Sequence, residues 1–514
     1  MLDNAHSLAA FSPELVLAGT VLVVLALDLI VGRLRIGTVA TLTLAGIALA
    51  TWATLATAHA PRGLFFGLVA RDPFADFWKL FCLATAALVA LLSLRAGDAI
   101  DESAAEFYAL VATTTLGMMV MAAATDLLTA YLSLETVSIM SYVLAGFRRR
   151  ARQSAEAALK YVIYGGVASG VMLYGMSLLY GLTGGTSFAA ILQAAGTTTA
   201  PATVLLAVVL CLAGFGYKVA SVPFHMWCPD VYEGAPTAVT AFLSVGPKAA
   251  GFALLVRFCA GVLPAELGGA PAPWPLLFGL IAAATMTLGN LGALAQTNVK
   301  RLLAYSSIAH AGYVLLALVA GGHDGARAIL LYLVTYLFMS LGAFAVVIAV
   351  AEGGVGDELA GWRGLGRRAP WAAAAMAIFL FSLTGLPPFA GFFGKFYVFY
   401  ALVARGGTFM VTLAVVGILN SALSLYYYAR VLKAMYFDAG GDEAPIALPR
   451  LHASLLALLA APTVALFLVW SPLSRFVDDS LGQWRPAATS PSSAQVDRSV
   501  NRSSVQLAST SATK

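Results

Sequence analysis

One stretch of the chain decides the fold, and it runs from Tyr217 to Asp230 with the sequence YKVASVPFHMWCPD. It ends an apolar run long enough to cross a hydrocarbon core as a helix, which takes about 20 residues. Lys218 lies inside that run, and Pro223 then removes a backbone hydrogen-bond donor. A membrane tolerates such an interruption only where protein or water satisfies the backbone. The stretch therefore predicts a broken membrane helix beside an internal cavity.

The composition of the whole chain is that of a membrane protein. Of its 514 residues, 60% are hydrophobic and 11% are charged, whereas soluble proteins carry about 45–50% apolar and about 25% charged residues. This excludes a soluble multi-domain enzyme, and also a disordered protein, which would contain fewer aliphatic side chains. The net charge of +5 does not indicate nucleic acid as a partner, because the basic residues fall in loops between apolar runs.

Working outward from the broken helix, the apolar runs predict an all-α, polytopic membrane protein with about fourteen transmembrane helices, here called spans 1–14. The runs lack the alternating polarity of barrel strands. Their approximate centres are Val23, Leu44, Ala86, Met118, Ile139, Met172, Leu210, Leu254, Thr287, Val314, Ala343, Leu380, Ile418 and Leu459.

The loop charges orient these spans. The richest basic loop, Arg148–Arg152, follows span 5, and the positive-inside rule places it in the cytoplasm. Most other basic loops then lie on the same side, while the stretches 183–200 and 261–275 on the opposite side contain no Lys or Arg. With an even number of spans, both termini are expected outside.

A second interruption lies in span 12, where residues 385–395 read GLPPFAGFFGK. It follows the first by five spans, an odd number, so a five-helix repeat would be inverted in the membrane. We therefore expect two inverted repeats, spans 4–8 and 9–13; the alternative is that both breaks are ordinary kinks. The expected divisions are 1–100 for spans 1–3, 101–265 and 270–438 for the repeats, 450–475 for the last span, and 486–514 for a disordered Ser/Thr-rich tail.

Ionisable residues lie well inside five of the spans. They are Glu135, Lys218, Lys248, His310 and Lys395, in spans 5, 7, 8, 10 and 12. Each charged group at a span centre costs about 2.5–3.5 kcal/mol, a cost that folding does not require. A line of such groups joined by water is a proton path. The alternatives are a static ion pair for Glu135 with Lys218, snorkelling for the other two lysines, and a core histidine bonded to a backbone carbonyl.

A second, weaker group lies near the arginine-rich loop and in the first break. Glu156 and Lys160 have the i, i+4 spacing of a helical ion pair, so they form either part of a proton entry or a solvated surface pair. His225 and Asp230 either line an entry path or cap the irregular backbone.

The sequence indicates no redox centre. The four cysteines are far apart and lack metal-ligand spacing, and neither a phosphate-binding loop nor a dinucleotide fingerprint is present. We therefore expect no metal or cofactor on this chain, and the energy for any pumping must come from another subunit or an ion gradient.

Two long motifs carry a family resemblance. Residues 217–237 and 296–313 closely resemble motifs of the antiporter-like subunits of respiratory complex I, the proton-pumping NADH–quinone oxidoreductase. These antiporter-like subunits are of three types, called L, M and N, and residues 385–399 look like the corresponding stretch of type N. Only a Ser/Thr-rich tail is expected after span 14, whereas type L continues with a long lateral helix. The resemblance covers nearly all of residues 10–475.

The resemblance implies a role for the five buried residues. Glu135 matches the family's fifth-helix glutamate and Lys218 its seventh-helix lysine. Lys248 matches the bridging lysine, His310 the tenth-helix histidine and Lys395 the twelfth-helix lysine. It implies a proton-translocating subunit in the bacterial inner membrane, next to subunits M, K and J and lipid. The whole complex would use NADH, FMN, iron–sulfur clusters and quinone. Two other functions stay open: a subunit of a multi-subunit sodium/proton antiporter, and a scaffold that only spaces active subunits.

Overall fold

The computed structural model describes residues 4–57, 62–95, 100, 102–439 and 444–482. Within them, thirteen helices are long and apolar enough to cross a membrane. A fourteenth crossing is made by two shorter helices, Pro370–Thr384 and Ala390–Arg405. The prediction of fourteen spans is confirmed, and each predicted centre lies in its span. Spans 1–14 are Ser12–Val31, Ile36–Ala56, Pro73–Ser93, Ala104–Ala123, Leu127–Ala145, Arg152–Thr183, Pro201–Val219, Thr237–Val262, Trp274–Leu294, Val299–Ala320, Gly322–Ala351, the pair above, Thr408–Tyr436 and Arg450–Leu468.

Short elements connect the spans. The short α-helices are Asn4–Ala10, Phe188–Gly196, Trp227–Gly234, Leu365–Arg368 and Ser471–Leu481, and Phe65–Gly67 and Leu359–Trp362 are 3₁₀ turns. Two antiparallel hairpins pair Arg62–Leu64 with Val69–Arg71 and Glu266–Leu267 with Ala270–Pro271.

The helix Ser471–Leu481 was not expected, because the sequence analysis places only a tail after span 14. It is short and strongly amphipathic, so it lacks the long apolar run by which the spans were found. Arg327 of span 11 anchors it through a 2.6 Å ion pair with Asp478. The tail predicted for residues 486–514 lies outside the described residues.

Span 8 forms the centre of the protein. Its whole apolar stretch is buried, and spans 10 and 11 are nearly as enclosed, whereas spans 1, 13 and 14 are mostly exposed. The exposed side chains of the outer spans are large and apolar, as in Leu22, Leu29 and Leu419, which suits a lipid-facing surface. Charged side chains inside span 8 are therefore removed from both lipid and bulk water.

Both broken helices are complete interruptions rather than kinks. Span 7 stops at Val219, because Ala220 takes a left-handed conformation with φ 58°, and helix resumes at Trp227. The freed backbone N–H of Val222 donates to Thr285 Oγ1 of span 9 at 3.0 Å. The backbone is thus satisfied by protein inside the membrane, as the sequence analysis required.

Span 12 breaks in the same way. Its first half ends at Thr384, and Gly385 follows with φ 88°. The N–H of Gly391, in the second half, donates to Ser382 Oγ in the first half at 3.1 Å. The two breaks thus share a left-handed residue followed by proline, and the ordinary-kink alternative does not hold. The residue limits of the two repeats remain a prediction.

Candidate functional site

Lys218 and Glu135 face each other across spans 7 and 5 without forming a direct ion pair. Lys218 is 2% exposed, and its Nζ donates to Ser138 Oγ at 2.9 Å. Ser138 follows Glu135 by three residues, so both lie on one face of span 5. Glu135 itself is half-buried and accepts a hydrogen bond from Ser169 of span 6. Ser138 is therefore the contact through which the lysine meets the glutamate helix.

Ser138 is suited to this position. Its own hydroxyl proton goes to the Leu134 carbonyl at 2.8 Å, which leaves its oxygen to accept from the ammonium group of Lys218. An ammonium has three donors, and one of those of Lys218 is used here, so the others are available to water. A static buried ion pair would instead hold the carboxylate of Glu135 against Lys218.

Lys248 connects the two halves of the protein. Its Nζ donates to Ser307 Oγ of span 10 at 2.6 Å and lies 5.3 Å from the centre of the Tyr232 ring. Tyr336 of span 11 also donates to Ser307, at 2.8 Å. Lys248 is 3% exposed, so it does not snorkel. Ser307 of span 10 thus accepts hydrogen bonds from both a lysine of span 8 and a tyrosine of span 11.

His310 lies one turn beyond Ser307 on span 10. Its Nδ1 is 2.6 Å from the Tyr332 hydroxyl and its Nε2 is 3.3 Å from the Tyr428 hydroxyl. Tyr428 in turn hydrogen-bonds Ser306. Both ring nitrogens therefore contact hydroxyl groups rather than a backbone carbonyl. An imidazole between two hydroxyls can accept a proton at one nitrogen and give one up at the other.

Lys395 fills the break of span 12. Its Nζ donates to the Thr384 carbonyl at 2.8 Å and to Ser421 Oγ at 2.8 Å. Thr384 ends the first half of the span, and the C-terminus of a helix favours a cation. The ammonium also lies 4.6 Å from the centre of the Tyr313 ring. Lys395 is 4% exposed, so it does not snorkel and instead satisfies the backbone of the break. It also lines an apolar cavity of about 400 Å³.

The four basic residues thus occupy the buried interior and Glu135 is half-buried, and each of the five is held by a hydroxyl group. Sequence reasoning missed those hydroxyls, because Ser and Tyr are ordinary residues in a membrane helix. Spacing was the one available signal, since Ser138 and Ser307 each lie three residues from a predicted site residue. The hydroxyl partners are Ser138, Ser169, Ser307, Tyr332, Tyr428 and Ser421.

Of the second predicted group, the structure brings Glu156, Lys160 and Asp230 together but not His225. Lys160 Nζ lies 2.8 Å from Glu156 and 2.7 Å from Asp230. Asp230 also pairs with Arg301 of span 10, at 2.6 Å. These residues line an open cavity of about 170 Å³. Glu156 and Lys160 do form the local helical pair, but Lys160 also reaches the broken segment of span 7. His225 does not line the cavity.

Two basic residues that the sequence analysis did not assign to the site hold the broken segment. Lys300, 1% exposed, donates to the carbonyls of Glu233 and Ala235 at 2.9 Å each. Arg148 donates to the Gly234 carbonyl at 3.1 Å. These carbonyls end the helix Trp227–Gly234, whose orphan acceptors need donors. The short helix is therefore anchored by one residue after span 5 and one in span 10.

Among the described residues, no group of three or more His, Cys, Asp or Glu is arranged to hold a metal ion. The side chains gathered at the site are amines, carboxylates, imidazole and hydroxyls, all of which exchange protons. The chemistry that these residues offer is proton transfer.

Comparisons with known proteins show the family to which the chain belongs. A family model described as NADH:quinone oxidoreductase/Mrp antiporter, TM, matches residues 124–421. The chain is 51% identical over 503 residues to NADH-quinone oxidoreductase subunit N 2 of Sorangium cellulosum, covering 94% of this chain and 99% of that protein. It is 50% identical over 512 residues to NADH-quinone oxidoreductase subunit N of Anaeromyxobacter sp., covering 94% and 98%.

Solved structures show the same fold. A chain of respiratory complex I from Thermus thermophilus with bound aureothin is 35% identical and superposes with a TM-score of 0.76, covering 90% of this chain and 98% of that one. A chain of the Mrp complex from Dietzia sp. superposes with a TM-score of 0.80 at 21% identity, covering 93% and 98%, which shows the fold alone. The chain therefore belongs to the antiporter-like membrane subunits of NADH–quinone oxidoreductase, and among them to subunit N.

Proposed function

We propose that this chain moves protons across the membrane through the line Glu135, Lys218, Lys248, His310 and Lys395 while the complex transfers electrons from NADH to quinone. The observation that carries the proposal is the position of the three lysines. All are nearly fully buried, and each donates to serine rather than to a carboxylate. A buried ammonium without a counter-ion is costly, and proton loss removes that cost.

Glu135 controls the first lysine in this proposal. A carboxylate near an ammonium favours its charged form, and Lys218 bonds Ser138, which lies one turn beyond Glu135 on the same face of span 5. A change in the charge or position of Glu135 would therefore load or discharge Lys218. Because Glu135 is only half-buried, a neighbouring subunit can act on it.

Lys248 passes the proton between the two halves. It contacts span 10 through Ser307, and His310 lies one turn farther on the same helix. Between His310 and Lys395 lies Tyr313, whose ring contacts both. No direct hydrogen bond among the described residues joins Lys218 to Lys248 or His310 to Lys395, so water must bridge these gaps.

Protons enter, in this proposal, near the arginine-rich loop. The cavity lined by Glu156, Lys160 and Asp230 opens there and borders the broken segment of span 7. His225 lies on the same segment but apart from the cavity, and we propose it as an alternative entry. The two inverted repeats would each supply half of the path, and by the positive-inside rule the entry would lie in the cytoplasm with both termini outside.

The energy comes from elsewhere in the complex. NADH, FMN, iron–sulfur clusters and quinone would be bound by other subunits, and subunits M, K and J would be the membrane neighbours in the bacterial inner membrane. A sodium/proton antiporter is the second function to test, since the Mrp complex shares the fold. The subunits that co-purify with this chain, NADH-oxidising or only membrane-embedded, distinguish the two.

The test replaces Glu135 or Lys218 by Ala in the whole complex and measures proton uptake per NADH oxidised in membrane vesicles. We expect both variant complexes to assemble and to take up fewer protons per NADH oxidised than the wild type. Lys433→Ala is the control, because that lysine is 70% exposed and pairs with Asp438 at the surface. Full uptake with an intact assembly in both site variants contradicts the assignment of this pair and favours a scaffold.

A further inference from the structure

A second set of buried charges, which the sequence analysis missed, lies at the beginning of spans 1 and 3. Glu14 in the first turn of span 1 and Lys79 in the second turn of span 3 are both fully buried, with Nζ 2.8 Å from Oε1. Intramembrane charges at such positions are a functional site by default. Nothing in the proton line described above uses them.

Two further charges extend this pair toward the surface. Lys79 Nζ lies 4.0 Å from Asp76 Oδ1, and Arg71 Nη2 lies 3.6 Å from the same oxygen. Arg71 is fixed by the Ala10 carbonyl and by Thr57 Oγ1. The side chains of Glu14 and Lys79 are 0% exposed, that of Arg71 is 3% exposed and that of Asp76 is 12% exposed. Asp76 is therefore the most exposed member of the row.

The polar atoms of this row are unusually poorly satisfied. Lys79 Nζ and Glu14 Oε1 satisfy each other at 2.8 Å, but Oε2 of Glu14 and Nε of Arg71 have no hydrogen-bond partner among the described residues. Asp76 Oδ1 also accepts no hydrogen bond there and lies 3.6 Å from Arg71 and 4.0 Å from Lys79. Buried polar atoms are normally hydrogen-bonded, and each exception needs an explanation. A static ion pair selected for stability would have its remaining lone pairs satisfied. Water and exchangeable protons would satisfy these atoms.

A permanently charged pair ties the row to span 8. Asp72 accepts two hydrogen bonds of 2.8 Å from Arg257, nine residues beyond Lys248 on the central helix. Burial alone would raise the pKa of Asp72, but the adjacent Arg257 guanidinium holds that pKa below its usual value. Asp72 therefore stays charged and fixes the geometry of the row beside span 8.

We propose that Glu14, Lys79 and Asp76 form a proton-release site at the beginning of spans 1 and 3, with water and protons as its ligands. The loop charges place this end outside, so the site rests on the proposed pumping function. In each step one bond breaks and one forms. The Lys79 ammonium gives a proton to Asp76, Asp76 gives it to outside water, and a proton arriving from the interior on Glu14 restores the ammonium.

The competing explanation is a latch that only fastens span 1 to span 3. The latch and the proton-release site predict different results when both charged residues are replaced by apolar residues of similar volume. Replacing a buried ion pair by apolar residues of similar volume is often neutral or stabilising. The double variant Glu14→Leu with Lys79→Met would therefore keep a latch intact but abolish a proton site.

The experiment measures proton uptake per NADH oxidised by the whole complex in membrane vesicles, with subunit content as the readout of assembly. We expect the double variant, and Asp76→Asn alone, to assemble and to lose as much uptake per NADH as Lys218→Ala loses. Asp28→Asn is the control, because Asp28 lies at the other end of span 1 and only accepts from the Leu34 N–H.

Wild-type uptake per NADH in either the double variant or Asp76→Asn would overturn the proposal. Should the double variant fail to assemble, Asp76→Asn alone decides, since that side chain lies at the edge of the row. If Lys218→Ala lowers the uptake while Asp76→Asn does not, the release site fails and the pumping function stands. If neither lowers it, the pumping function itself fails.

Discussion

Lys248 Nζ donates a 2.6 Å hydrogen bond to Ser307 Oγ, which joins span 8 to span 10 in the centre of the protein. Each residue belongs to a different one of the two predicted repeats. Because Lys248 is buried and no carboxylate contacts it among the described residues, Ser307 is the strongest acceptor that the structure gives it. A proton that crosses from one half to the other would pass this contact.

Replacing Ser307 by Ala is therefore expected to slow proton uptake without unfolding the subunit. Loss of a hydrogen bond to a buried charged group costs about 1.5–3 kcal/mol, which is roughly a tenfold to hundredfold change in an equilibrium. Proton uptake per NADH oxidised measures the effect. Ser244→Ala is the control, because Ser244 lies one turn before Lys248 and bonds Ser340 instead. Equal effects of the two variants would contradict the role of Ser307.

Replacing Gly385 by Ala is expected to displace Lys395. Gly385 has φ 88°, and an added Cβ would lie 2.8 Å from Lys395 Cδ. The left-handed conformation alone costs a residue with a side chain on the order of 1–3 kcal/mol. We expect a lower thermal midpoint of the complex and reduced proton uptake.

Gly170→Ala is the comparison for that variant. Gly170 is helical, and a Cβ added there meets nothing within 4 Å. Exchanging Gly for Ala inside a helix stabilises by roughly 0.5–1 kcal/mol. Proton uptake should be unchanged in Gly170→Ala, and a loss equal to that of Gly385→Ala would show that the effect is not specific to the break.

Lys300→Met is expected to loosen the broken segment of span 7. The substitution removes the donor of the Glu233 carbonyl and leaves the Ala235 carbonyl with a 3.5 Å hydrogen bond from Arg148 alone, and an unsatisfied group costs about 1–3 kcal/mol. Limited proteolysis or hydrogen exchange of residues 227–234 would detect the change. Lys300→Arg keeps a donor and should retain most of the protection. Unchanged exchange in Lys300→Met would show that Arg148 suffices as the cap.

Replacing Asp230 by Asn is expected to have a smaller effect on stability. Asp230 bonds both Lys160 and Arg301, but all three side chains are partly exposed, and such pairs contribute about 0.2–1 kcal/mol each. The thermal midpoint should therefore change little, while proton uptake falls if the cavity is the entry. A normal uptake in Asp230→Asn would move the entry to another place, such as His225.

The fold could be predicted because its signals are local. An apolar run of span length identifies a helix wherever it lies, and Pro223 and Pro387 mark the breaks without reference to the rest of the chain. The helix Ser471–Leu481 was missed because it is short and half polar, so neither a long apolar run nor a break marks it.

The candidate site could be predicted only in its charged members. Glu135 and Lys218 are conspicuous in an apolar run, whereas Ser138 between them is not, and only the packing of span 7 against span 5 selects it. The direct pairing of Asp230 with Arg301 joins residues 71 positions apart. Glu14 and Lys79 were missed because they lie near span ends, where charges are common. Their complete burial depends on spans 1 and 3 packing together.

The most direct measurement is proton uptake per NADH oxidised by vesicles that carry Lys248→Met, with electron transfer and subunit content measured in the same sample. Met keeps the length of the side chain but holds no proton. The proposed line predicts an assembled complex with reduced uptake per NADH. Wild-type uptake per NADH in this variant would contradict a proton path that crosses the subunit through Lys248.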